Sequence, residues 1–481
     1  MLSHVGRSRN LYCLVHKQLC SRLSTVRSFS ALGIVTRKDH GGQRKRLRLM
    51  LGFVRRMQPN REEDSSQTVS ISPCFPSTSP VFGYSSESAE SDHTFPVNIQ
   101  KLLEQTMKEE ELRDVAYRIC RDYLNGSWRK ISAQQMGWKQ ITGGLSNILY
   151  LCSLPPSNPK SPVQEPRHAL FRIYGQVHGE CQMQIHNVIT ESIVFAVLSE
   201  RAVGPRLYGV FPGGRLEEYI PARSLRREEL QENKIMDAVA RKCAYVHTLD
   251  VPIVKEPTWM WDTLSKWAHR LLKQSCVDLD MVIDFPAEVT WLRKFLVEVQ
   301  SPVVFSHNDL QEGNLLALRD ECGDISRIVL IDFEYCAYNY RAFDIANHFC
   351  EWMYCYQVQE PPYFTYNKNH FPSPEEQMHF IRKYLERYKR LLNSPGECLN
   401  EQDNDGTDTI DVTTREVLQV YEEVQRFTLA SHLFWALWSA VNAPVSKILF
   451  GYWEYANARF KAYFEEKKKF LSSGLNSRAQ V

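Results

Sequence analysis

The chain has 481 residues, 43% hydrophobic and 11% aromatic, with a formal net charge of +2, which supplies a globular core and excludes a wholly disordered protein. The near-neutral sum hides an asymmetry: residues 1–56 hold thirteen Lys or Arg against one acid, Asp39, leaving 45 bases and 55 acids for the rest, so no nucleic-acid partner is expected of the mildly acidic body. Thirteen cysteines without C-x-x-C or zinc spacing, and no run near eighteen apolar residues, predict reduced thiols and a soluble protein with no transmembrane segment.

Residues 1–56 form a basic extension rich in Arg and Ser and nearly free of acids, which is the composition of a mitochondrial targeting segment and equally of a solvated basic arm. Residues 57–97 are dominated by Ser, Pro, Glu and Asp and read as a disordered linker. Order should begin with a helix capped by Asn98, where apolar residues from Ile99 to Ile119 recur at helical spacing.

A small lobe is expected over residues 98–222. Met136 to Ile141 and Ile148 to Leu154 read as strands joined through Gly143, Gly144, Leu145, Ser146 and Asn147, a turn whose glycines let the backbone approach a ligand, although any hairpin needs such residues. Leu170 to Tyr174 reads as a third strand carrying one cation, Arg172, and is followed by a helix from about His186 to Ala202 that carries Glu191. Arg206 to Phe211 and Arg215 to Ile220 form a second hairpin through Pro212, Gly213 and Gly214, ending at a hinge near Pro221.

The larger lobe, residues 223–481, reads as helices near 232–249, 258–275 and 287–299 before two polar clusters. Val303 to Phe305 predicts a buried strand ending at His307, Asn308, Asp309, Leu310, Gln311, Glu312, Gly313 and Asn314. Ile328 to Ile331 predicts another, ending at Asp332, Phe333 and Glu334. An Asp beside a substrate hydroxyl accepts its proton, an Asn five residues on turns back to a magnesium ion, and a second Asp holds that ion against ATP phosphates. His-x-Asp-x4-Asn followed by Asp-Phe is thus the pattern of kinase-like phosphotransferases, whereas any one of these residues alone is what caps a turn or ends a strand. In such a lobe Arg172 would meet the nucleotide phosphates and Glu191 would orient it; both also read as ordinary surface charges.

Everything after Arg341 is predicted helical apart from loops such as Leu399 to Asp411. Trp435 and Trp438, and Tyr452 and Tyr455, pair at i, i+3 on two helices. Packed antiparallel, those helices would surround an alkylated ammonium with ring faces; the same spacing also describes ordinary core. Strands followed by helices give an α+β class.

These residues resemble the choline/ethanolamine kinase family through Gly143 to Asn147, His307 to Asn314, Ile331 to Tyr335, Asn339 to Arg341, Phe343 to Ile345 and Asn347 to Trp352, over about residues 98–471. The resemblance implies a protein-kinase-like two-lobed fold with a small β-rich N-lobe and a large mostly helical C-lobe. It implies Mg2+ and ATP, with choline or ethanolamine as acceptor, in a cytoplasmic homodimer. By the same resemblance Asp309 is the base, Asn314 and Asp332 are magnesium ligands, and Arg172 and Gln311 belong to the nucleotide site. Gly143 to Asn147 with Ile148 and Leu149 would cover the phosphates, and Glu218, Tyr219, Ile220, Pro221, Ala222, Arg223 and Ser224 would line the adenine side. Tyr335, Glu351, Tyr356, Trp435, Trp438, Tyr452 and Tyr455 match the acceptor pocket, where four rings favour choline over ethanolamine. A phosphotransferase acting on another small hydroxyl compound and a pseudokinase scaffold remain as alternatives.

Overall fold

Three consecutive acids, Glu109 to Glu111, stand at the positive end of the first helix, α1 (Glu109–Tyr123), and its apolar positions Leu112, Val115, Ala116, Ile119 and Cys120 all turn inward. The computed structural model describes residues 107–141, 148–156, 165–174, 181–274, 277–319, 325–393, 411–446 and 448–472. The expectations for the extension, the linker, a helix start at Asn98, the turn Gly143 to Asn147 and nearly all of Leu399 to Asp411 lie outside the described residues.

β1 (Gly137–Ile141), β2 (Ile148–Ser153), β3 (His168–Ile173), β4 (Leu207–Phe211) and β5 (Gly214–Glu218) form one antiparallel sheet in the order β1-β2-β3-β5-β4. The expected strands are present, each within about two residues of its sequence-read limits, because glycine-bearing turns separate their apolar and β-branched runs. Phe171, Phe211 and Leu216 join the apolar face of α1 in a first core. Helix α2 (Cys181–Glu200) follows β3, and its Val194, Phe195 and Leu198 belong to the second, larger core.

Past the hinge, β6 (Arg223–Ser224) pairs with β8 (Leu315–Arg319), which pairs with β9 (Ile325–Leu330). Helices α3 (Asn233–His247), α4 (Thr258–Leu271) and α5 (Phe285–Val297) precede β7 (Val303–Ser306), which pairs antiparallel with β10 (Ala337–Tyr340). That pairing sets Ser306 opposite Ala337, so the segments following β7 and preceding β10 lie side by side. β8 and β10 were not among the expected strands. Leu315 to Leu318 has no alternation, and β10 forms only by pairing with a strand some thirty residues away, a contact that local pattern does not encode.

Helix α6 (Arg341–Glu351) has every residue buried, which makes it the centre of the larger lobe. It is followed by the two-residue strands β11 (Tyr354–Cys355) and β12 (Thr365–Tyr366), which interrupt the expected helical tail. Helices α7 (Pro374–Asn393), α8 (Thr414–Asn442) and α9 (Tyr452–Ser472) complete the lobe. A reciprocal cap between Thr413 and Glu416 starts α8. Among the described residues no helix is long and apolar enough to cross a membrane.

Arg341 Nη2, at the start of α6, donates to both oxygens of Glu423 on α8 at 2.9 Å, and both residues are buried. Replacing Glu423 with Ala strands a buried guanidinium, for which about 3–5 kcal/mol of destabilisation is expected. Urea unfolding measures it, and a loss below about 1 kcal/mol would show that water relieves the pair.

Candidate active site

The loop after β7 is held by one carboxylate. Asp344 on α6 is fully buried and accepts the backbone N–H groups of His307 (2.9 Å, Oδ2) and Asn308 (2.8 Å, Oδ1), while His247 Nε2 of α3 lies 3.0 Å from Oδ2. Burial alone would raise its pKa, but His247 and His307 with these hydrogen bonds outweigh that and hold it below the ordinary value. Asn308 is thereby fixed at φ +66, a left-handed backbone that Asn tolerates better than most residues. Its side chain donates to Tyr335 O at 2.9 Å and accepts from Asn339 Nδ2 at 2.9 Å.

His307 is the loop's second anchor. Asp309 N donates to its Nδ1 at 3.3 Å, so Nε2 carries the proton and donates to Ile331 O at 3.0 Å. This ties the loop of Asp309 to the segment entering Asp332. Asn314 makes a second tie: its Nδ2 donates to Asp309 O (2.9 Å) and Oδ2 (2.7 Å), and its carbonyl accepts Ile331 N at 3.1 Å. Both amide protons of Asn314 being so used, its Oδ1 is left as a hard oxygen donor, and with the carboxylate of Asp332, which follows the Ile331 tied to Asn314, the donor types fit Mg2+. Asp332 has φ +62, a second left-handed residue at the same locus.

Asp309 is pushed well above the usual carboxylate pKa by burial first and then by the charges of Glu351, Asp332 and Glu334, against the lowering bond from Asn314. A carboxylate with raised proton affinity suits a base. Gln311 Oε1 accepts Gly313 N at 2.7 Å and so shapes the turn.

On the small-lobe side, Arg172 of β3 donates from Nε to Glu217 at 3.2 Å and reaches Asp332 Oδ1 from Nη1 at 3.4 Å. Glu191 does not meet Arg172 as expected. It pairs with Arg215 of β5, whose Nε donates to the other oxygen of Glu217 at 2.7 Å. Arg215 opens the predicted strand to Ile220, but that it lies beside Arg172 became visible only with the β3–β5 register. Ile148 and Leu149 open β2, and Leu149 is the register partner of Arg172. Along the hinge, Glu218 accepts Arg206 N at 3.0 Å, the Tyr219 ring stands edge-on to His168, and Ala222 N donates to Ile220 O beside Pro221. Arg223 forks onto Glu229 at 2.8 and 2.5 Å, and Ser224 Oγ donates to Gly313 O at 2.9 Å, joining the hinge to the catalytic turn.

The rings expected to meet the acceptor form an arc. Successive centroid separations are 5.2 Å from Tyr335 to Trp435, 5.5 Å to Trp438 and 5.8 Å to Tyr452. Phe450 continues it, 5.1 Å from Tyr452 and 5.5 Å from Tyr455, and Tyr356 lies 6.0 Å from Tyr455. Trp435, Tyr452 and Tyr455 are buried, whereas Tyr335, Tyr356, Trp438 and Phe450 are half-buried. Trp438 Nε1 donates to Tyr335 OH at 2.8 Å and Trp435 Nε1 to Asn347 Oδ1 at 2.7 Å, which fixes the ring planes. Phe450 escaped sequence reading because it precedes α9. Gly451 next to it is a position where a Cβ would fall 2.4 Å from Pro362 Cβ, so only glycine allows the close approach that seats the ring.

Glu351 is occupied. Arg459 of α9 pairs with one of its oxygens and Tyr356 OH donates to the other at 2.7 Å. Arg459 lies fully buried, with its guanidinium 3.8 Å from the Tyr354 ring centroid. A lone Arg four residues after Tyr455 carried no sequence signal. Glu312 was likewise unread: burial, then Glu351, raises its pKa to about 8, and it accepts Tyr356 N at 3.4 Å.

A five-stranded sheet joined through a short hinge to a helical lobe, with an acid–amide–acid set between strand ends, defines a protein-kinase-like phosphotransferase. The Choline/ethanolamine kinase family model matches residues 138–464. Choline/ethanolamine kinase of Homo sapiens is 42% identical over 365 residues, covering 74% of this chain and 87% of that protein. Choline kinase alpha of Mus musculus is 41% identical over 385 residues, covering 75% and 82%. The crystal structure of choline kinase from Cryptosporidium parvum superposes with a TM-score of 0.60 at 28% identity, over 76% of this chain and 99% of that one. The chain belongs to the choline/ethanolamine kinase family.

One pH dependence follows from the loop's third anchor. His348 Nδ1 donates to Leu310 O at 2.8 Å and its Nε2 accepts Trp352 Nε1 at 3.3 Å, so the buried ring is held neutral, with burial lowering its pKa from 6.5 to about 4. The unfolded chain takes up this proton first, so the ring's contribution is intact above pH 6.5 and lost as pH falls toward 4, up to about 3 kcal/mol. Urea midpoints should therefore fall between about pH 7.5 and about pH 5, and less steeply in His348→Gln. Parallel pH curves for the two proteins would contradict this.

Proposed function

We propose that this protein transfers the γ-phosphoryl group of ATP to the hydroxyl of choline, and of ethanolamine, giving the phosphorylated amino alcohol that opens phospholipid headgroup synthesis. The observation that carries the reading is the contact chain from Asp309 through Asn314 to the Asp332 segment, with Tyr335, three residues past Asp332, beginning the aromatic arc. One end of this arrangement suits a reacting hydroxyl and the other an alkylated cation.

Asp309 orients the acceptor hydroxyl and takes its proton as the oxygen–phosphorus bond forms and the bond to the ADP oxygen breaks. Asn314 and Asp332 would hold Mg2+, which when bound offsets charge on the β- and γ-phosphates. Arg172 adds a fixed positive charge on the small-lobe side. The rings exclude water from the ammonium and present their negative faces to it. The charge of Glu351 is balanced by Arg459, so the pocket attracts the acceptor chiefly through ring faces. That balance favours a trimethylammonium over a primary ammonium, which would require more hydrogen-bond acceptors. A cytoplasmic homodimer belongs to the same reading.

Asp309→Asn keeps the shape of the side chain and removes the base, so kcat should fall by about 10²-fold or more with the unfolding midpoint little changed. A folded variant with wild-type kcat would mean that another group takes the proton. For the wild type, kcat/KM should be higher with choline than with ethanolamine, and the reverse order in a paired steady-state assay would overturn the assignment of the arc.

A further inference from the structure

We propose that Glu217 is a positioning residue for phosphoryl transfer: it clamps Arg172 to Arg215 across the β3–β5 pair and aims Arg172 at the ATP phosphates, while Glu191 acts through Arg215. The inference rests on the phosphotransfer reading above and assigns the residues that set the geometry of its phosphate side.

Arg172 and Arg215 are register partners on adjacent antiparallel strands, so their side chains leave the same face of the sheet within about 5 Å at Cβ. Two buried guanidinium groups so placed repel each other. Glu217 lies two residues beyond Arg215 on β5 and therefore on the same face. It gives one oxygen to each arginine, Oε2 to Arg215 Nε at 2.7 Å and Oε1 to Arg172 Nε at 3.2 Å. The side chains of Arg172, Arg215 and Glu217 are 5%, 1% and 2% exposed, so water does not substitute for any of these contacts.

The result is a row of alternating charge: Glu191, Arg215, Glu217, Arg172, Asp332. Arg172 is gripped at Nε from one end and faces Asp332 with Nη1 at the other, which leaves the outer edge of its guanidinium directed at the metal and phosphate locus. A direct Glu191 contact on Arg172 would fix only that one side chain. The row of four ion pairs instead ties α2, the β3–β5 pair and Asp332 to one geometry. Glu217 also immediately precedes Glu218, where the segment proposed for the adenine side begins. One strand end thus sets both the phosphate cation and the nucleotide hinge.

The test is steady-state kinetics on full-length protein carrying Glu217→Gln, with ATP varied at saturating choline and choline varied at saturating ATP, alongside a thermal unfolding midpoint. KM for ATP should rise by about tenfold or more while KM for choline changes by less than about twofold, and Glu217→Asp should recover part of the ATP loss. An unchanged KM for ATP, or equal loss toward both substrates, overturns the proposal. If Glu217→Gln does not fold, Glu191→Gln at the outer end of the row should give a smaller rise confined to ATP, and a symmetric loss or no loss there overturns it as well. Wild-type turnover with choline is measured first. Its absence would count against the phosphotransfer reading itself, whereas a Glu217 variant matching an active wild type counts against Glu217 alone.

Discussion

The site depends on the buried carboxylate of Asp344. It takes the backbone N–H groups of two consecutive residues, His307 and Asn308, and a third contact from His247. Those bonds hold Asn308 in its left-handed conformation, immediately before Asp309. A loop fixed only by its side chains would sample many orientations, and a displacement of about 1 Å at a reacting group is enough to lower a rate by orders of magnitude. Asp344 sits on a helix whose every residue is buried, so the rigidity of the core is transmitted to the loop that carries Asp309, the proposed base.

Charge is divided unequally between the two ends of the site. Toward the nucleotide, alternate acids and arginines are matched one to one in a buried row, leaving Asp332 as the terminal anion facing the cleft. At the end proposed for the acceptor, Glu351 is paired with Arg459, and the aromatic arc runs past Trp435 and Trp438. Arginines beside polyanionic phosphates and rings beside an alkylated cation are complementary devices. In the proposed reaction the two ends would hold two ligands of opposite charge about one reacting oxygen.

Much of this was legible in the sequence, for local reasons. The five sheet strands are short runs punctuated by turn residues, and the polar clusters at His307 and Asp332 begin where apolar runs stop. Helices α8 and α9 bring Trp438 and Tyr452 together because their i, i+3 faces meet. What escaped was carried by contacts between distant residues. Asp344 lies 97 positions from His247, and Arg459 108 positions from Glu351, and neither pairing leaves a local pattern. Glu191 meets Arg215, 24 positions away, rather than Arg172, and that pairing too leaves no local pattern. Strands β8 and β10 exist through their partners and have no alternation of their own strong enough to announce them.

A crystal structure with Mg2+, a non-hydrolysable ATP analogue and choline tests the central claim most directly. The account predicts the ion between Asn314 Oδ1 and the Asp332 carboxylate, the choline hydroxyl within about 3 Å of Asp309, and the trimethylammonium against Tyr335, Trp438 and Tyr356. Choline bound away from that arc, or an ion that touches neither Asn314 nor Asp332, would contradict it.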